Sequence, residues 1–223
     1  MPHPHLLVQP RPGFTWLRLA HPERRNALDI GLAAALRDAL AADVTRPVLL
    51  GSSDLSVFCA GADLTIPDAE RAAVSDLVYD CCELLITRPG PVIAVVTGPA
   101  VGGGAQLAAA ADLRVASDGA RLRFTGPPGM DLVVGAWLLP SLVGRGLAMD
   151  LALTGRWVES AEALAAGLVN RVVADPVAVA EQMAASFRAR PAVKEVMAAG
   201  DLMDRLRAER RANQDAWAIR IGS

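Results

Sequence analysis

Residues 92–111 read VIAVVTGPAVGGGAQLAAAA. The first five residues are all apolar, which is typical of a strand that is buried on both faces of a sheet. The segment 98–104 that follows is a glycine-rich loop, and the alanine-rich stretch after it favours a helix. This order of strand, glycine loop and helix predicts an α/β fold in which a helix N-terminus exposes free backbone amides.

The same region raises a membrane alternative, because residues 89–111 contain no charged side chain and are long enough to span a bilayer. Three prolines and five glycines within this stretch would break a spanning helix repeatedly. We therefore predict a buried strand, a loop and a buried helix, and no membrane span.

The composition is that of a globular protein with an ample core. Hydrophobic residues make up 52% of the 223 residues and charged residues 21%, and the net charge is −2. Because the chain has no basic excess, we expect a small-molecule partner and no nucleic acid.

Cysteine usage and the first residues indicate the compartment. Cys59, Cys81 and Cys82 are odd in number and lack ligand spacing, so a reducing cytoplasm is expected. Residues 1–12 contain four prolines and no apolar run of signal-peptide length. We predict that they form a disordered leader and that the protein is cytoplasmic.

The hydrophobic pattern divides the rest of the chain into strands and helices. Strands are predicted over 14–20, 47–51, 57–59, 92–97, 112–117, 121–124 and 169–173. Helices are predicted over 30–42, 68–87, 105–111, 134–143, 148–153, 161–166 and 176–190, with a charged helical tail beyond 200. Asp29 is expected to cap the first helix.

A second glycine loop, FCAGADL at 58–64, also follows a short apolar strand. Gly61 permits an unusual backbone turn, and Ala62 has too small a side chain to shield its own N–H. Either loop alone is compatible with a simple tight turn. Together, the two loops could hold one carbonyl oxygen between two amide donors. The triple glycine lacks the Lys and Ser/Thr of a phosphate loop, so nucleotide hydrolysis is disfavoured.

Four colinear blocks resemble the crotonase (enoyl-CoA hydratase/isomerase) superfamily. They are HPERRNALD at 21–29, FCAGADL at 58–64, GPAVGGGAQLAAAADLRVAS at 98–117, and SLVGRGLAMDLALTGRWVESAEALAAGLVNRVV at 141–173. The resemblance implies a crotonase-like α/β spiral of ββα units over 13–173. A C-terminal helical region over 174–223, shorter than is usual in the family, would serve a homotrimer or hexamer.

The resemblance also implies the ligand and its contacts. An acyl-CoA or related thioester would place its carbonyl oxygen between the amides of Ala62 and Gly103, and coenzyme A would enter as part of the ligand, with no separate cofactor. Arg24 and Arg25 would lie near the CoA phosphates, where arginine can donate two hydrogen bonds at once. Ordinary loop charges are the alternative for these two arginines. Ala60 and Leu64 would lie beside the adenine end.

The chain departs from the family where the chemistry should be. The first hydratase glutamate would fall at position 106, which is Gln106, and an amide cannot act as a general base. The second would fall in the loop TGPPGM at 125–130, and no glutamate lies between Glu83 and Glu159. Asp131 is the tentative base, with a helix N-cap as its alternative role.

Other chemistries have less support. There is no GxSxG motif, and the three histidines lie near the N-terminal end, so neither a serine triad nor a metal site is easily built. Met130 and Trp137 could line an acyl pocket or belong to the core. Three functions remain: a family enzyme acting on an acyl thioester, with low or absent hydratase activity, a non-catalytic acyl-thioester binding protein, or a structural partner subunit that no longer binds CoA.

Overall fold

The computed structural model describes residues 3–187, 191–198 and 201–222. In chain order, the strands are β1 Leu6–Arg11, β2 Phe14–Leu19, β3 Val48–Ser52, β4 Val92–Val96, β5 Ala100–Val101, β6 Leu113–Ala116, β7 Arg121–Arg123, β8 Val158–Glu159 and β9 Arg171–Val172. The α-helices are α1 Ile30–Ala42, α2 Asp68–Thr87, α3 Gly103–Ala110, α4 Leu139–Thr154, α5 Ser160–Ala165, α6 Pro176–Ser186, α7 Pro191–Ala198 and α8 Asp201–Gly222. A short 3₁₀ turn covers Pro22–Arg24.

The main sheet has six strands in the order β1-β2-β3-β4-β6-β9. All of its pairs are parallel except β1 with β2. Every residue of β3 and of β4 is buried, as expected for parallel strands covered on both faces. The helices that connect successive parallel strands therefore lie on the sheet, and their N-termini open at one edge.

The prediction of a disordered leader over 1–12 is wrong for Leu6–Arg11. These residues form β1, which pairs antiparallel with β2 from Leu6 opposite Leu19 to Arg11 opposite Phe14. Gly13 has a φ of +84° in the turn between the two strands. The sequence pattern did not indicate this strand, because Pro10 lies within it, and a proline is tolerated there since β1 is an edge strand.

The two faces of the sheet bury different clusters. One face carries the larger core, which includes Leu17, Leu50, Ala94 and the buried sides of α1, α2 and α3. The other face carries Trp16, Leu49, Ile93 and Val95, covered by Ala180 and Ala184 of α6. Since α6 closes that second face, the first face is the one that supports the glycine loops.

A small second sheet, β5-β7-β8, flanks the helix α3. Residues 57–59 were predicted to form a strand, but only a single bridge joins Cys59 to Ala100 of β5. Ala100–Val101 and Val158–Glu159 are too short to leave a periodic signal in the sequence. This small sheet places Arg123 directly beside the glycine loop.

The helices after residue 130 differ from the predicted ones. The helix predicted over 134–143 begins only at Leu139, and it continues through a bend at Gly144, where φ is +75°, into the predicted 148–153 helix. Residues 131–138 make irregular structure whose turns are closed by the bonds from Leu138 N and Leu139 N to Gly135 O. The last predicted part of the 176–190 helix, residues 188–190, lies outside the described residues.

Predicted features of the other helices are confirmed. Asp29 caps α1 by accepting a 2.7 Å hydrogen bond from Leu32 N, and α2 spans Asp68–Thr87 as predicted. The long helix α8 packs along α2, with Arg210 bonded to Asp76 and Asp80 at 3.1 and 2.7 Å. The division at residue 174 into a core and a helical oligomerisation region stays a prediction.

Across the described ranges, every helix is too short or too polar to cross a membrane.

Candidate functional site

The two glycine loops meet at one pocket. Gly61 has a φ of +86°, and a Cβ there would lie 2.8 Å from the Val101 carbonyl oxygen and 3.6 Å from Gly103 N. A side chain at this position would therefore collide with the second loop. The absence of that side chain lets the two predicted donors, Ala62 and Gly103, line the same pocket.

Each of the three successive glycines has a separate role. Gly102 has a φ of +54° and stands at the N-cap of α3, accepting from Gln106 N at 3.0 Å. Gly103 is the first helical residue, so its N–H has no partner within the helix. A Cβ at Gly104 would lie 2.5 Å from the Cys59 carbonyl oxygen. Only glycine at 104 therefore allows α3 to pack against the first loop.

Backbone hydrogen bonds hold the first loop in place and leave the Ala62 amide free. Leu28 N donates to Gly61 O at 2.7 Å, and Asp63 N donates to Leu28 O at 2.9 Å. This parallel bridge uses the groups on either side of Ala62 and not its own N–H. Within residues 3–187, neither Ala62 N nor Gly103 N donates to another backbone group. Two unused donors thus stand at the pocket.

The pocket has a volume of about 520 Å³ and is closed by elements distant in sequence. Its walls are the two glycine loops, the first half of α2, much of segment 123–134, and Asn213 and Trp217 of α8. The predicted contact residues Ala60 and Leu64 and the predicted acyl-pocket residue Met130 are among the lining residues. The whole TGPPGM loop lines it as well.

Gln106 lies at the pocket floor, one turn of α3 beyond Gly103. Its side chain is 5% exposed, and its Oε1 accepts a 2.9 Å hydrogen bond from the indole Nε1 of Trp137. Trp137, which was considered as a lining residue, does not line the pocket and is only 2% exposed. Trp137 therefore contacts Gln106 from the protein interior and not from the pocket.

Trp137 is in turn fixed by Glu209 of α8. The Glu209 carboxylate accepts from Trp137 N and Gly135 N, both at 2.8 Å, and from the Tyr79 hydroxyl at 3.0 Å. The Tyr79 hydroxyl also accepts from Asn213 Nδ2 at 2.7 Å. Burial raises the pKa of Glu209 to about 7, although these donors act in the opposite direction.

The buried position of Glu209 was not predicted, because this residue lies in a charge-rich stretch that is typical of a solvated helix face. The structure shows it only 5% exposed. Leu206, Asn213 and Trp217 are also buried. With Glu209 they recur three and four residues apart, and that helical spacing was the available signal.

None of the described residues that line this pocket carries a carboxylate. Among the described residues that form its walls, the ionisable side chains are Arg71 and Arg123. Asp131 is exposed and is not part of the lining, so the structure does not bring the tentative base into the pocket. Its alternative role as an N-cap is wrong, since no helix begins at Val133 and α4 starts at Leu139.

The two arginines predicted to contact phosphates have different surroundings. Arg24 pairs with Asp63 at 3.3 Å and donates to the Thr65 hydroxyl at 2.7 Å, so its guanidinium is partly engaged. Arg25 has a φ of +53° and lines a neighbouring cleft of about 420 Å³. This cleft shares Ala60 and Val101 with the pocket, so the two are adjacent.

A pair of cations beside this cleft was not predicted. The Arg121 guanidinium lies 4.3 Å from the ring centre of Trp157, and that of Arg123 lies 5.8 Å from it. The two residues alternate along β7 and therefore share one face of the strand. Arg25 and Arg121 line the cleft together with Asp54, so arginines outnumber carboxylates among its described lining residues.

The buried cysteines are poor nucleophiles. Burial raises the pKa of both Cys59 and Cys81 to about 12, and that of Cys82 also rises well above its usual value. The thiol and not the thiolate is therefore present near neutral pH. Cys59 acts as a packing residue for α3, as the close approach of Gly104 shows.

The sequence model of the enoyl-CoA hydratase/isomerase family matches residues 12–220, and the chain belongs to that family. The probable enoyl-CoA hydratase echA6 of Mycobacterium leprae is 37% identical over 170 residues, which are 72% of this chain and 68% of that protein. Enoyl-CoA hydratase domain-containing protein 2, mitochondrial, of Bos taurus is 35% identical over 213 residues, 90% of this chain and 70% of that protein.

Solved structures show the same fold. The crystal structure of an enoyl-CoA hydratase from Mycobacterium avium subsp. paratuberculosis K-10 superposes with a TM-score of 0.87 at 27% identity, and the match covers 100% of this chain and 96% of that one. The predicted crotonase fold is therefore confirmed.

Proposed function

We propose that this protein binds an acyl-CoA or related acyl thioester, with the carbonyl oxygen held between Ala62 N–H and Gly103 N–H, and that it hydrates enoyl thioesters slowly or not at all. The observation that carries the proposal is a pocket with two unused amide donors and no carboxylate in its lining. Family membership supports the ligand class.

The amides suit a thioester carbonyl because their positions do not depend on side chains. Gly103 N–H stands at the first turn of α3, where the helix dipole favours negative charge on an approaching oxygen. Ala62 N–H is held opposite by the Leu28 bridge. One preorganised donor of this kind contributes about 10² to 10³ in rate where charge develops on the oxygen.

Hydration needs more than a polarised carbonyl. A general base must activate water and a general acid must deliver a proton, each contributing about 10² to 10⁴ in rate. Gln106 can do neither, and the TGPPGM loop offers no carboxylate. A binding protein without turnover is the second candidate function, favoured by this same arrangement.

The neighbouring positive cleft supports coenzyme A as the carrier. Arg25 and Arg121 carry charge in its lining, Arg123 lines the adjoining pocket, and the Arg121 guanidinium lies over the Trp157 ring, 4.3 Å from the ring centre. Phosphates attract guanidinium groups through paired hydrogen bonds. Arg24 contributes less, because Asp63 and Thr65 already engage it.

Calorimetry with a matched ligand pair tests the carbonyl contact. Butyryl-CoA should bind at least roughly tenfold more tightly than S-butyl-CoA, a thioether that lacks the carbonyl oxygen, because two hydrogen bonds are lost. Equal affinity for the two ligands would overturn the proposed contact, and no binding of either would overturn the function.

Turnover is tested separately by following the enoyl absorbance of crotonyl-CoA. We expect at most a slow loss of absorbance with the wild-type chain, and a faster rate with Gln106→Glu, which restores one carboxylate beside the amides. Hydration by the wild type at an ordinary hydratase rate would contradict the proposal.

A further inference from the structure

The side-chain amide of Gln106 has a defined orientation. An indole N–H is only a donor, so the group that faces Trp137 Nε1 at 2.9 Å must be the Gln106 oxygen. The amide NH₂ then points away from Trp137. Within the described residues the Nε2 group makes no hydrogen bond to the protein, and Gln106 lines the pocket. The pocket floor therefore presents two donor hydrogens.

Trp137 cannot easily move to release this orientation. Its backbone N–H and that of Gly135 are both bound by the Glu209 carboxylate, and its ring is 2% exposed. Rotating the Gln106 amide by half a turn would place two donors against each other in a buried site, which is strongly disfavoured. The indole thus acts as a positioning group for the amide.

The spacing along α3 indicates which ligand atom the amide can meet. Gln106 follows Gly103 by three residues, so both lie on one side of the helix, about 4.5 Å apart along its axis. An acyl chain whose C1 oxygen accepts from Gly103 N–H and which runs along α3 towards Gln106 places C3 near the next turn, and Gln106 lines the same pocket as Gly103. A second acceptor oxygen on C3 would then lie within reach of Gln106 Nε2.

The remaining walls strengthen the preference for an acceptor. The charged lining residues are Arg71 and Arg123, and the lining contains no anion that could occupy the Gln106 amide. A plain alkyl chain would displace water from the two donor hydrogens without replacing its hydrogen bonds. Sites built to hydrogen-bond a substrate group reject analogues that lack it.

We propose that this pocket selects acyl thioesters with a hydrogen-bond acceptor oxygen on C3, such as 3-oxoacyl thioesters, over those with a saturated C3, and that Gln106 Nε2 donates to this oxygen while Trp137 positions it. The inference rests on the proposed function, since it requires the thioester carbonyl at Gly103.

Acetoacetyl-CoA and butyryl-CoA test the inference, because they share a four-carbon chain and differ at C3. Calorimetry should give a dissociation constant roughly tenfold lower for acetoacetyl-CoA. In Gln106→Met, which keeps the side-chain volume and removes the donor, the ratio of the two constants should fall close to one. A wild-type ratio near one, or an unchanged ratio in Gln106→Met, would overturn the inference.

The positioning role has its own variant and a matched control. Trp137→Phe removes the indole N–H. It should lower the ratio of the dissociation constants of butyryl-CoA and acetoacetyl-CoA several-fold, because the Gln106 amide becomes free to rotate. Trp16→Phe makes the same change at an indole that is 4% exposed but lies in the cluster on the other face of the sheet. A loss of ratio in both variants would indicate general loosening and overturn the role of Trp137.

Different experimental results would contradict the proposed thioester function and the proposed selection at C3. If neither ligand binds, the proposed thioester function is wrong and the inference falls with it. If both bind equally and S-butyl-CoA binds more weakly, the carbonyl contact stands and only the selection at C3 is wrong.

Discussion

Glu209 is the residue on which the interior of the site depends most. It is a carboxylate, 5% exposed, with three donors directed at it, and it ties α8 to the segment that carries Trp137. Burial raises its pKa to about 7, while the unfolded chain should titrate near the ordinary value of about 4.3. Its ionisation therefore opposes folding as the pH rises between these two values.

We expect Glu209→Gln to destabilise the protein by about 1–3 kcal/mol below pH 6. One end of the glutamine amide is an NH₂ donor, and it would face one of the buried donors that bond the carboxylate in the wild type. The difference in the free energy of unfolding between the variant and the wild type should shrink as the pH rises from 5 to 8, since only the wild type loses stability on ionising Glu209. Urea unfolding of both chains across this range measures it.

Glu195→Gln provides the control, because Glu195 is exposed on α7. It should leave stability within a few tenths of a kcal/mol of the wild type at every pH. A difference for Glu209→Gln that grows with pH would contradict the raised pKa.

At the scale of elements, the contact between α3 and the first loop decides whether the two amides face one pocket. Gly104 packs against Cys59 so closely that a Cβ would lie 2.5 Å from its carbonyl oxygen and 2.8 Å from its Sγ. Relieving this contact would require a shift of the buried loop backbone or of a core cysteine, and both shifts are energetically unfavourable.

We therefore expect Gly104→Ala to cost about 1–3 kcal/mol of stability and to weaken butyryl-CoA binding at least tenfold by moving α3 away from the loop. Thermal unfolding and calorimetry measure the two effects. The matched control is Gly146→Ala in α4, where a Cβ meets nothing within 4 Å. There the alanine should stabilise by about 0.5–1 kcal/mol. Equal effects at both glycines would contradict this account.

Features of the fold that depend on local sequence signals were predictable, and features that depend on other contacts were not. Asp29 with α1 and the strand-loop-helix unit of 92–111 were predictable, because capping and apolar runs are local signals. The strand Leu6–Arg11, the two-residue strand Ala100–Val101 and the late start of α4 were not. The first has Pro10 within it and pairs with the neighbouring strand Phe14–Leu19, and the second is defined by its pairing with Arg121–Arg123 farther along the chain.

The same holds for the site. The glycine loops were found because each lies in a short motif with its own physical signal, and Gln106 was found through the resemblance to the family. The bonds from Trp137 to Gln106 and to Glu209 join positions 31 and 72 residues apart. Asp131 was proposed because it is the only carboxylate between Asp118 and Asp150 in the sequence, and the structure leaves it outside the pocket.

At the scale of the whole molecule, several large apolar side chains lie open on the helices. They include Leu153 of α4, Met197 of α7 and Ile219 of α8, which are 77%, 78% and 76% exposed. Single exposed apolar residues are ordinary, but their concentration on α4, α7 and α8 supports the proposal of a homo-oligomer.

Light scattering after gel filtration should therefore give a mass of three or six times the 23.3 kDa of one chain. Replacing Leu153, Met197 and Ile219 together by serine should shift the mass towards that of a single chain. A single-chain mass for the unaltered protein would overturn the oligomer.

The role of Gly61, Gly103 and Gly104 has a consequence for how such a protein can change over time. The thioester contact proposed here is made by main-chain atoms, and it persists as long as those three positions carry no side chain. The proton transfer of hydration would depend on the side chains at position 106 and in the loop 125–130. A lineage can therefore exchange its reaction by point substitutions while its ligand class is inherited unchanged.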